Sequence, residues 1–96
     1  MTDPILDQWD DLTDDVLAEV NRATMKHGFD NTPRGAMPYA MKATVLTEEV
    51  GEVARWVNER FLGNRPAWGD LRSELVQVAA VALMWASSLP PEKEPR

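Results

Sequence analysis

The chain has no cysteine and a single histidine, His27, in 96 residues. Disulfide frameworks, thiol nucleophiles and Cys/His zinc sites are thereby excluded, and a Ser-His-Asp triad would have only one imidazole to draw on. No apolar run reaches the roughly 18 residues of a membrane span, so no membrane partner is expected. Bases are missing from the first 20 residues, where Asp3, Asp7, Asp10, Asp11, Asp14, Asp15 and Glu19 contribute −7 of a net −6. An N-terminus of that charge is the reverse of a secretory or transit peptide, which gives the expectation of a soluble, cytoplasmic protein. Residues 21–96 total only +1, without the clustered Lys and Arg that a nucleic-acid backbone requires, so nucleic acid is not an expected partner.

Hydrophobic content of 44% and charged content of 27% suit one globular domain. Ile5, Trp9, Leu12, Val16, Val20 and Ala23 recur at steps of three and four, the stripe of an amphipathic helix over about 4–27. Asp3 caps it, Pro4 takes its first position and Gly28 stops it. Residues 28–38 hold two glycines and two prolines and break every period, so they form a connecting loop. Met41, Val45, Val50, Val53, Ala54 and Val57 mark a second helix from Tyr39 to about Arg60. After a second break over 62–70, Asp70 is placed to cap a third helix that runs to about Ser88 and stops at Pro90-Pro91. The fold class is all-α: three main helices in a single domain over 1–89, then a polar tail over 90–96.

The third helix is apolar at every position of 75–86 except Gln77. Such a helix must be covered on all sides, and two amphipathic helices can hardly do so alone. A homo-oligomeric helical bundle, dimer or tetramer, is the expected assembly.

On the second helix Glu49 and Glu52 stand three residues apart, and Glu74 and Gln77 repeat that spacing on the third. If these helices pack antiparallel, the two pairs face each other across a short gap. Converging carboxylates repel unless a cation neutralises them, and all-oxygen ligands suit Mg²⁺ or Mn²⁺; ordinary surface salt-bridging is the alternative. Gly51 lies between the acids at a cost of about 1 kcal/mol relative to alanine, and close approach of another helix is the simplest reason for it.

The run Leu46-Thr47-Glu48-Glu49-Val50-Gly51-Glu52-Val53-Ala54, then residues 53–73 as spacer to Glu74-Leu75-Val76-Gln77-Val78-Ala79-Ala80-Val81, resembles the MazG-like nucleotide pyrophosphohydrolases of the all-α nucleoside-triphosphate pyrophosphatase superfamily. The family pattern is Glu-x-x-Glu, a spacer, then Glu-x-x-Asp, and the likeness covers about residues 22–88. It implies a homo-oligomeric bundle that hydrolyses the α–β phosphate bond of a nucleotide with Mg²⁺, releasing a monophosphate and pyrophosphate. By position Glu49, Glu52 and Glu74 become metal ligands. Gln77 stands where the family has aspartate, and its neutral carbonyl oxygen removes one negative charge from the site. A catalytically weak nucleotide- or protein-binding module is the alternative. Glu48 is the candidate to orient or deprotonate the attacking water. Lys26 is a candidate phosphate contact or a cation at a helix C-terminus, Arg55 a phosphate contact or ion-pair partner, and Trp56 a stacking surface for a base or a packing residue.

Overall fold

A computed structural model describes residues 3–63 and 68–91 of the chain. Every regular element among them is helical: α1 (Pro4–Asp7), α2 (Trp9–His27), a 3₁₀ turn (Phe29–Asn31), α3 (Tyr39–Phe61) and α4 (Trp68–Ser88). The first helical segment begins as its sequence dictates, with the Asp3 carboxylate accepting from the Ile5 N–H at 2.8 Å and Pro4 in the first turn. It is not continuous over 4–27. The Gln8 N–H donates to the Ile5 carbonyl at 3.1 Å, an i to i−3 bond that tightens the chain there and divides α1 from α2.

Gly28 ends α2 at φ +84°, a conformation that favours glycine. The loop that follows is firmly built. Thr32, 2% exposed, donates through Oγ1 to the Phe29 carbonyl at 2.8 Å, and the Arg34 guanidinium donates to Thr24 Oγ1 while lying over the Phe29 ring. A Cβ at Gly35 would come within 2.6 Å of the Phe29 carbonyl oxygen, so only glycine lets the loop fold back this tightly.

α4 is the centre of the molecule. It packs against both α2 and α3, whose backbones stay apart from each other. Val20 of α2 meets Ala80, Val81 and Met84 of α4 in the core, flanked by Val16, Ala23, Val45 and Leu46. α3 runs antiparallel to α4 and is fastened at both ends. At one end the Lys42 ammonium, 2% exposed, donates to Ser88 Oγ at 2.9 Å and sets a positive charge against the C-terminus of α4, which has no base of its own in its last turn. Tyr39 packs on Trp85 beside it, ring centroids 6.1 Å apart. At the other end Trp56 packs on Trp68 at 5.0 Å, with the Arg60 guanidinium 4.1 Å from the Trp68 ring centroid.

Two expectations need correction. Asp70 does not cap α4: the helix already includes Trp68, and Asp70 sits within its first turn, where a carboxylate still suits the positive end of the dipole. The polar tail over 92–96 lies outside the described residues. Gly51 is not approached by another helix of the chain either, since a Cβ built there meets nothing within 4 Å. Gly51→Ala should therefore stabilise the chain by about 1 kcal/mol in urea unfolding, through helix propensity alone. A destabilised variant would mean that something outside this chain packs on that face of α3.

Candidate functional site

The separation of the α2 and α3 backbones opens a cleft above α4, with a volume of about 250 Å³. One end is polar, formed by Glu19 and Arg22 of α2, Glu49 of α3 and Gln77 of α4. The rest is mixed, walled by Val45, Met84 and the loop residues Pro33 and Met37 together with the polar His27, Asn31 and Thr32. A cleft with a charged end and a remainder of apolar and uncharged polar side chains suits a ligand that is itself divided between an anionic part and a flat, partly polar part.

Glu49 at the polar end and Glu74 in the groove beside it share one feature. Both side chains are half-buried, and each has an Oε2 atom shielded from solvent without a hydrogen-bond partner. Burial, followed by the carboxylates of Glu74, Glu52, Glu19 and Glu48, pushes the Glu49 carboxyl above the ordinary glutamate range. Unpartnered buried carboxylate oxygens are costly, and a cation is the ligand that removes the cost for both.

The remaining sequence candidates fall into different places. Gln77 is half-buried and lines the cleft with Glu49. Glu52 is exposed on the flank of α3 and lines, with Glu59, Asp70 and Glu74, a shallow groove beside the cleft. Glu74 thus stands between Glu49 on one side and Glu52 on the other. Among the described residues no three carboxylate or imidazole side chains are close enough to hold a metal ion by themselves. Two facing carboxylates still fit Mg²⁺, which is commonly held by one or two protein carboxylates with water and substrate phosphates completing the octahedron. Glu48 is exposed beside Glu49.

Lys26 is exposed in the last turn of α2 and is not among the cleft residues, a placement that matches a cation at a helix C-terminus. Arg55 is exposed and its Nε donates to Glu59 at 3.1 Å, an i,i+4 surface pair. Trp56 is only 7% exposed and lies under Trp68, so its ring is a packing surface between α3 and α4. Sequence reasoning missed Glu19 and Arg22. Their signal was present: they flank Val20 and Ala23 of the apolar stripe, so an oppositely charged i,i+3 pair had to lie at the edge of the buried face.

The raised Glu49 pKa sets the sign of one pH effect. Between the unfolded value and the higher folded value, the native state keeps a proton that the unfolded chain has lost, so stability falls as pH rises through that window and stays reduced above it. Glu19 works in the other sense. Its hydrogen bonds to Arg22 lower its pKa, despite an opposing effect of burial, so its contribution is present above the unfolded value and lost as pH falls. Comparing the native chain with Glu49→Gln largely removes the Glu19 effect. In metal-free buffer, the variant's advantage in urea midpoint should grow from about pH 4 to about pH 7, the range around and above the ordinary glutamate pKa. A constant difference across that range would overturn the burial of a charged Glu49. No family model matches the chain, and neither a curated protein nor a solved structure does.

Proposed function

We propose that the chain is a metal-dependent hydrolase of the MazG-like type, cleaving the α–β phosphate bond of a nucleoside triphosphate or related nucleotide to the monophosphate and pyrophosphate. The observation that carries this reading is the pair of buried, unpartnered Oε2 atoms of Glu49, at the polar end of the cleft, and of Glu74, in the groove beside it. Glu49 and Glu74, joined by Glu52 from the flank and by the Gln77 carbonyl oxygen at the edge, are the residues we assign to hold Mg²⁺, or Mn²⁺ in its place. When bound, the cation supplies charge neutralisation at the phosphate oxygens. The chain's own part is to orient and to exclude water. The apolar walls at Val45, Met37 and Met84 take the nucleoside and shed its hydration, while Glu48, exposed next to Glu49, is assigned to orient the attacking water.

Purified protein given Mg²⁺ or Mn²⁺ and a panel of nucleoside triphosphates should release pyrophosphate. Glu74→Gln should reduce the rate by about 100-fold or more, the scale on which loss of electrostatic stabilisation acts. Equal rates in the native chain and Glu74→Gln would remove Glu74 from the site. Gln77 and the lack of a three-carboxylate group favour one other reading, a nucleotide-binding module of the same fold without turnover. That protein would be stabilised against heat by nucleotide while releasing no pyrophosphate.

Self-association belongs to the same proposal. Leu75, Leu83 and Trp9 are each about half exposed, and with Leu12, Val16 and Ala79 they line two adjoining apolar grooves between α2 and α4. We assign this face to a second copy of the chain, in a cytoplasmic homodimer. Val81, on the same apolar helix, belongs instead to the core of a single chain, where at 6% exposure a charge would unfold the protein itself. Leu75→Glu and Leu83→Glu are the clean probes. Light scattering at micromolar concentration should report a dimer for the native chain and a folded monomer for each variant; a native monomer would overturn the assignment.

A further inference from the structure

Arg22 is the only lysine or arginine among the residues lining the cleft. It is held there from its own helix: Nε donates to Glu19 Oε2 at 2.9 Å and Nη2 to Glu19 Oε1, a two-pronged pair at i,i+3 on α2. This pair fixes the guanidinium plane and leaves its other N–H groups without a protein acceptor. The Arg22 side chain is 54% exposed, so those groups meet solvent and are open to a ligand. The guanidinium also lies near enough to Glu49 to be attracted to it across the gap between α2 and α3. Arg22 of α2 and Glu49 of α3 thus face each other over the polar end of the cleft, with Glu74 of α4 coupled to Glu49 from the adjoining groove.

Lys26, the base that the sequence suggests for phosphate, is exposed one turn further along α2 and does not line the cleft. A fixed guanidinium is also better matched than a mobile ammonium to the paired oxygens of a phosphate. We propose that Arg22 is the phosphate-binding residue of the cleft and that Glu19 is its positioning residue. The inference rests on the nucleotide reading above and adds a polarity to it: the phosphate chain lies between Arg22 and the Glu49–Glu74 pair, and the nucleoside lies toward Val45, Met37 and Met84. Glu19 keeps the fork turned to the cleft when no phosphate is present and prevents it from collapsing onto Glu49.

Titration calorimetry with inorganic tripolyphosphate, and separately with Mn²⁺ alone, tests this on six proteins: the native chain, Arg22→Gln, Arg22→Lys, Glu19→Gln, the Arg22→Gln/Glu19→Gln double variant and Glu49→Gln. Arg22→Gln should weaken tripolyphosphate at least tenfold and leave Mn²⁺ binding undiminished, because the residue removed is a cation. Arg22→Lys should recover part of the loss, as it keeps the charge but not the fork. Glu19→Gln should weaken tripolyphosphate by a smaller factor and add nothing when combined with Arg22→Gln, a dependence that a merely structural role would not produce. Tripolyphosphate affinity unchanged in Arg22→Gln would overturn the proposal while leaving the metal reading standing, provided Mn²⁺ binds the native chain and is lost in Glu49→Gln. Absence of Mn²⁺ binding by the native chain would overturn the metal reading. Arg22 is then judged on tripolyphosphate without metal, where no binding, or binding indifferent to Arg22→Gln, overturns it as well.

Discussion

The rest of the molecule depends on the apolar character of α4. A helix with apolar side chains around its circumference must be covered on several sides, and this chain supplies only two long helices to cover it. They sit on different flanks of α4 and their backbones stay apart. Two features follow from that one shortage of cover. The space between α2 and α3 on one side is the cleft, and the apolar surface around Leu75 and Leu83 on α4 stays exposed. The core inside one chain is accordingly small, built from Val20, Ala80, Val81 and Met84 with Trp56 apart from it.

The carboxylates persist in this setting because the α3–α4 contact is fastened on either side of them. Lys42 on Ser88 with Tyr39 on Trp85 closes one end, and Trp56 on Trp68 under Arg60 closes the other. Glu49 and Glu74 lie between these anchors and cannot relieve their repulsion by letting the helices part. The raised pKa of Glu49 comes first from its burial against α4 and then from the carboxylates held near it.

The acidic N-terminal half of α2 has a different role from the acids of the cleft. Asp10, Asp11 and Asp14 are exposed and form a solvated face, while Asp15 reaches Arg72 at 2.7 Å and ties α2 to α4 at the surface. Only Glu19, the last acid of the run, turns toward the cleft, and it does so in the company of Arg22. One helix therefore carries both a solvated acidic face and the cation that faces Glu49 of α3.

Periodicity, caps and breakers determined the helices from the sequence alone, because they are local: Asp3, Gly28 and Pro38 act on the few residues beside them. The spacing of Glu49 with Glu52 and of Glu74 with Gln77 was equally legible, since three residues along a helix define a face. Which member of each pair turns inward was not. Glu49 is half-buried and Glu52 exposed because the contact with α4 selects an arc of α3 narrower than the pair, and only the crossing of the two helices decides where that arc lies. The same holds for Trp56, whose ring is spent on Trp68, and for Arg22, which gains its meaning from Glu49 on a helix whose backbone stays apart from that of α2. Local rules reach about one turn along the chain; burial and charge coupling between helices far apart in sequence exist only once tertiary packing has set them side by side.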